Sequence, residues 1–232
     1  MIRINRIKCP IGLKRGSAIR YNKANVVLAL FNMQHGKCCY CEQIIPVEGH
    51  GKAVEHFRPK GIFKRLLNSW GNLLLACAQC NGRKSDQFPT ALTANLNHPK
   101  VLCHTRRKRQ PLLINPSDPG DLNPEDHIAF NVDDGSEEFG LCSARGGSAR
   151  GEATVTITGI HRPFFVLHRR IHLRGLLLKW VNLLEAYDHS DFEMVRQWRD
   201  SIKQSTRENA PFAALSREFV RVKRLEERFG HL

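Results

Sequence analysis

Two Cys-x-x-Cys pairs, Cys38/Cys41 and Cys77/Cys80, constrain this chain more than any other feature. Two intervening residues let a tight turn aim both sulfurs at one ion, and two such turns close a tetrahedral shell around Zn²⁺. A closed shell leaves no position for water, so that ion is structural. Within Cys38-Cys39-Tyr40-Cys41, Cys39 competes with Cys38 as ligand, although a two-residue gap suits the turn better than one. Between the pairs lie 35 residues, more than a minimal zinc ribbon needs. They hold Val54-Glu55-His56-Phe57-Arg58-Pro59-Lys60 and Asn72, and Asn81-Gly82-Arg83-Lys84 follows the second pair. A carboxylate, an imidazole and a carboxamide inside such a clamp suit a second, catalytic ion and a general base.

The cysteine usage predicts a compartment. Eight cysteines behind a start of Met1-Ile2-Arg3-Ile4-Asn5-Arg6, which is no signal peptide, fit a reducing cytoplasm. There, Cys-x-x-Cys pairs are metal ligands or redox pairs. A thioredoxin-like site needs one pair beside a βαβ pattern, and this chain has two pairs without one. Cys9, Cys39, Cys103 and Cys142 stand apart from any second ligand pair and read as small reduced hydrophobes. The formal net charge of +14 on 232 residues predicts a polyanionic partner, and Arg106-Arg107-Lys108-Arg109 is a candidate phosphate contact or a solvated loop. No apolar run approaches a bilayer span, so no membrane partner is expected.

Periodicity places the motif. Tyr21 to His35 reads as a helix, stopped by Gly36 in a left-handed conformation. Lys52 to His56 reads as a short strand and Arg58-Pro59 as an extended exit from it. Gly61 to Gly71 reads as a loop, Leu73 to Ala76 as a buried strand, and the residues after Cys77 as a short helix through Lys84. Further on, Thr154 to Thr158 alternates like a strand. Leu173 to Tyr187 is helical, Ser190-x-x-Glu193 is a capping box opening another helix, and Phe212 to Phe229 is a final amphipathic helix. Three regions follow: an N-terminal segment and helix at 1–37, a compact α+β unit at 38–90, and a loop-rich, then helical region at 91–232.

These residues carry a resemblance. Cys38-Tyr40-Cys41-Glu42, Glu55-His56-Phe57-Arg58-Pro59-Lys60, Trp70-Gly71-Asn72-Leu73-Leu74 and Cys77-x-x-Cys80-Asn81-x-x-Lys84 together resemble HNH endonucleases of the ββα-metal fold. The Glu-His-Phe-Arg-Pro-Lys core is similar to the HNH nuclease subunit of Septu-type and retron-associated anti-phage systems. Leu112-Leu113-Ile114-Asn115-Pro116, His127-Ile128-Ala129-Phe130 and Thr156-Ile157-Thr158-Gly159-Ile160 extend the likeness more loosely. The resemblance implies an α+β fold in which a zinc-stapled ββα-metal core is embedded in a mostly α-helical chain. It assigns His56 as the general base, Asn72 as the residue that orients it, and Asn81 and Glu55 as ligands of a divalent ion, Mg²⁺ or Mn²⁺. It also implies an ATPase partner. Arg58, Lys60 and Lys84 are candidate phosphate donors, with ordinary surface charge as the other reading.

Two function classes stay open on the sequence. One is a metal-dependent nuclease for DNA, with RNA or tRNA as other substrates. The other is a zinc-stabilised nucleic-acid-binding or scaffold protein without catalysis, which would need none of Glu55, His56 and Asn81. Four thiolates also suit iron, so metal content separates a third, redox reading.

Overall fold

The structure, a computed structural model, describes residues 1–13, 20–46, 51–90, 111–118 and 123–231. Cys103 and the basic run at 106–109 lie outside the described residues. Helix α1 covers Ala24–Met33, shorter at both ends than the sequence pattern suggested. It buries Val26, Leu30 and Met33 and ends where Gly36, at φ +68°, donates its amide to Phe31 O at 2.8 Å. Strands β1, Lys52–His56, and β2, Leu73–Cys77, pair antiparallel, with Lys52 opposite Cys77 and His56 opposite Leu73. Between them, the expected loop holds single helical turns at Lys64–Leu66 and Trp70–Asn72. Helix α2, Ala78–Lys84, follows β2 without a break. The order strand, strand, helix is thus realised over 52–84.

Strands β3, Ile128–Phe130, and β4, Cys142–Ala144, make a second antiparallel pair. Helix α3 covers Ala149–Thr158, where the alternation of Thr154 to Thr158 predicted a strand. Local caps at both ends decide for the helix, and the threonine side chain satisfies itself within it. Ser148 caps its start by accepting from Gly151 N at 3.2 Å, Gly159 at φ +67° stops it, and Thr158 Oγ1 donates to Thr154 O at 2.6 Å. Ala153, Thr154 and Thr158 are fully buried, so packing overrides the β preference of threonine.

Helix α4, Pro163–Asp188, starts ten residues before the apolar pattern the sequence displayed. Helix α5, Phe192–Gln204, is capped by Asp191, whose carboxylate accepts from Met194 N at 3.1 Å. The expected cap, Ser190, instead turns the chain at φ +58°. The last helix divides into α6, Ala213–Lys223, and α7, Leu225–Phe229, because Arg224 sits at φ +54°. Among the described residues the chain is therefore a mixed α and β fold with seven helices and two small antiparallel sheets.

One buried cluster runs from Met1 to Phe165 and gathers α1, both cysteine turns, β1, β2 and α3. A second holds Leu173, Leu176, Trp180 and Leu183 of α4 against Val195, Ile202, Leu215, Phe219, Leu225 and Phe229. The α4 helix contributes to both. No helix of the described residues is long and apolar enough to cross a membrane.

His172 lies in this second region, its Nε2 2.8 Å from Ser216 Oγ. Burial, followed by Lys179, lowers its pKa to about 4. The unfolded chain takes up a proton near pH 6.5 that the folded chain refuses until about pH 4. Stability is therefore full above pH 6.5 and falls through that window, by at most about 3 kcal/mol from this residue. Urea unfolding at pH 7 and pH 4.5 should show the loss, and His172→Gln should remove much of it.

Candidate metal centre and catalytic cleft

The first cysteine turn hangs from β2. Cys39 N donates to Leu75 O at 2.9 Å, and the buried Gln34 side chain accepts from Leu75 N at 2.7 Å and donates to Leu75 O at 2.8 Å. Gln34 thereby completes the backbone bonding of Leu75, on β2. The second turn is the start of α2, with Cys77 Sγ accepting from Cys80 N at 3.5 Å. The sulfurs of Cys38, Cys41, Cys77 and Cys80 all lie within 4.8 Å of one another, and Cys41 and Cys77 are 3.9 Å apart. Zn–S bonds of about 2.3 Å in a tetrahedron place sulfurs just under about 4 Å apart, so the quartet fits zinc. Cys38, not Cys39, completes it. Burial pushes the Cys38 thiol up, but hydrogen bonds among the clustered cysteines hold it well below the usual range.

His56 ends β1 and is almost fully buried. Its Nε2 is 2.9 Å from Leu67 O. A carbonyl only accepts, so Nε2 carries the hydrogen and the Nδ1 lone pair remains. Among the described residues Nδ1 has no hydrogen-bond partner. Burial lowers the pKa of the ring, with Lys60 and Lys84 adding to the effect against Leu67 O. The imidazole is held neutral at physiological pH. The Tyr21 ring closes one side in a T-shaped contact, with centroids 4.5 Å apart at 81°.

Asn72 anchors the segment that follows His56. Its Oδ1 accepts from Arg58 N at 2.8 Å, its Nδ2 donates to Arg58 O at 3.0 Å, and its own carbonyl accepts from Phe57 N at 3.0 Å. Nδ2 also reaches Leu66 O at 3.4 Å, next to the carbonyl that fixes His56. One carboxamide thus holds both sides of the loop around the imidazole. The Arg6 guanidinium braces the same turn by donating to Trp70 O at 2.7 Å and Gly71 O at 3.0 Å.

His56, Glu55, Asn81, Lys60 and Asp86 line one open cleft of about 340 Å³. Glu55 lies at its floor. Its Oε1 accepts from Lys84 Nζ at 2.7 Å and from Tyr40 OH at 3.1 Å. Burial pushes the Glu55 carboxyl up, against the pull of Lys84 and Tyr40. Burial likewise keeps the Tyr40 hydroxyl protonated and donating.

The three expected phosphate donors separate. Lys60 lines the cleft, with Nζ 3.1 Å from Tyr21 OH. Arg58 is turned away, its guanidinium over the rings of Phe63 and Phe88 at 5.5 and 5.2 Å. Lys84 is fully buried and donates to His56 O at 2.9 Å as well as to Glu55, so it is not displayed to a phosphate. It ties α2 to the end of β1 instead. Sequence reasoning missed Tyr21, Tyr40 and Asp86. Tyr40 was signalled by its place inside the first cysteine turn. Tyr21 was not, since the contact spans 35 positions of chain.

No family model matches the chain. Two curated proteins do. The chain is 31% identical over 180 residues to a Septu protein PtuB of Bacillus mycoides (strain KBAB4), an alignment covering 72% of this chain and 57% of that protein. It is 40% identical over 72 residues to a Septu protein PtuB of Bacillus thuringiensis, covering 31% of this chain and 28% of that protein. The chain spans little more than half the length of the first relative and less of the second. What these residues share with known proteins is a likeness to Septu proteins named PtuB.

Proposed function

We propose that this chain is a metal-dependent endonuclease of the HNH type, the cleaving component of an anti-phage defence system that also contains an ATPase. The observation that carries the reading is His56. Its neutral ring has Nε2 fixed by the Leu67 carbonyl, Nδ1 without a described partner, and a place in the same cleft as Asn81 and Glu55. The likeness to Septu PtuB supports the defence setting. The net charge of +14 supports a nucleic-acid substrate, with DNA favoured.

In this reading His56 Nδ1 takes the proton from a water attacking phosphorus in line. The bond to Leu67 O holds the ring in position and tautomer, and Asn72 holds the loop that carries that carbonyl. Burial keeps the base deprotonated at neutral pH. Asn81 and the part of Glu55 not engaged by Lys84 and Tyr40 would hold Mg²⁺ or Mn²⁺, since both offer hard oxygen. Held there, a divalent ion would supply positive charge to neutralise the phosphate as it is cleaved. Lys60 gives an ammonium to a neighbouring phosphate. One base serves one strand, so a single chain nicks.

Supercoiled plasmid, linear DNA and tRNA, incubated with and without the partner ATPase, test this. Nicking should require added Mg²⁺ or Mn²⁺, stop on mild chelation that leaves zinc in place, and weaken in Asn81→Ala. Tight DNA binding with no cleavage under every condition would return the chain to the class of zinc-stabilised binding modules.

A further inference from the structure

The outer face of α4 follows its own period. The exposed positions Phe164, Leu167, Ile171, Arg174, Leu178, Val181, Glu185 and Asp188 recur at alternating steps of three and four. This is the heptad spacing of a two-stranded coiled-coil seam, and the core-packed residues of the same helix repeat it on the opposite face. The opposite face is already used: Leu173, Leu176, Trp180 and Leu183 are buried against α5, α6 and α7. The five apolar members of the seam are between 45% and 63% exposed. Single exposed hydrophobes are ordinary, but five in register along about 26 Å of helix form a patch that calls for a partner.

We propose that this seam pairs with the α4 seam of a second copy of the chain, antiparallel, about a twofold axis. The sequence is self-complementary only in that direction. Set antiparallel about the peptide between His172 and Leu173, Phe164 faces Val181 of the second copy, Leu167 faces Leu178, and Ile171 lies against the aliphatic stem of Arg174. Each layer occurs twice, as an isologous interface requires. A parallel pair would instead stack Arg174 on Arg174, Glu185 on Glu185 and Asp188 on Asp188. Among the described residues none of these three side chains has an ion-pair partner. The antiparallel arrangement carries Glu185 and Asp188 past Phe164, towards His161 and Arg162 at the start of the opposite helix. The pairing does not depend on the nuclease reading. If that reading holds, it sets two nicking sites in one particle.

A seam this short buries less than a standard interface, so the dimer is expected to be weak, with dissociation in the micromolar range. Sedimentation velocity on the full chain from about 1 to about 100 µM reads it. Wild type should move from monomer to dimer across that range. Leu167→Lys alone and Leu178→Glu alone should each weaken the dimer at least about 100-fold, by putting a charge against an apolar side chain. The double variant Leu167→Lys/Leu178→Glu should recover most of the affinity, because each lysine then meets a glutamate of the other copy. Zinc content and circular dichroism establish that each variant is folded. A monomer throughout the range overturns the proposal and leaves the seam to a different protein, the ATPase included. A dimer unaffected by the single changes places the interface elsewhere, and a double variant weaker than either single shows parallel pairing; both overturn it as well.

Discussion

Cys80→Ser is expected to empty the zinc site and to unfold much of the chain at physiological temperature. Cys80 is fully buried in α2, and its sulfur belongs to a quartet spaced for one tetrahedral ion. Structural zinc of this kind contributes apparent binding free energy on the order of 10 kcal/mol, because the unfolded chain offers no preformed shell. Few domains have more stability than that to lose. The quartet also joins the chain after α1 to the start of α2, and the first turn and the end of α1 are bonded to β2 through Cys39 and Gln34. Elemental analysis of protein purified without added metal should find close to one zinc per chain in wild type and little in Cys80→Ser. Cys142→Ser, outside the quartet, should keep its zinc. Iron in place of zinc, or a Cys80→Ser protein with full zinc and an unchanged melting temperature, would refute the assignment.

His56→Ala is expected to lower nicking by about 10²–10⁴-fold, the usual contribution of a general base. The loss should fall on kcat and not on KM, since in the proposed mechanism the imidazole acts on water in the transition state and not on bound DNA. Zinc content and DNA affinity should stay near wild type. Asn72→Ala should lie between the two, because it loosens the loop at Arg58 and Leu66 without removing the base. Plasmid nicking under single-turnover conditions at saturating Mg²⁺ measures both. A His56→Ala protein that cuts at the wild-type rate would sink the role given to this residue.

The residues around the cysteine pairs were readable because their signals are local. A strand ending at His56, a strand of apolar residues from Leu73 and a helix opening at Cys77 each need only a few neighbours to declare themselves. Thr154 to Thr158 misled because its alternation is as local as its caps, Ser148 and Gly159, and the caps decided. Arg224 gave no sign of the break between α6 and α7, since the apolar period continues across it. In the cleft, the residue types were legible but their partners were not. The sequence alone cannot say that Lys84 turns inward to Glu55, or that Arg58 stacks on Phe63 and Phe88. The Glu55–Lys84 and Arg58–Phe88 contacts each span about thirty positions of chain, and only Phe63 is near Arg58 in sequence.

The pairing of Glu55 with Lys84 bears on how such a chain can change over generations. The two charges meet at 2.7 Å in the interior, where removing one partner strands the other at a cost of about 3–5 kcal/mol. A lineage that lost the glutamate would keep a buried ammonium with no counter-charge, and one that lost the lysine would leave a carboxylate beside only Tyr40. Neither intermediate is hospitable, so drift at one position is held back by the other. Descendants should inherit the two as a unit or replace them together.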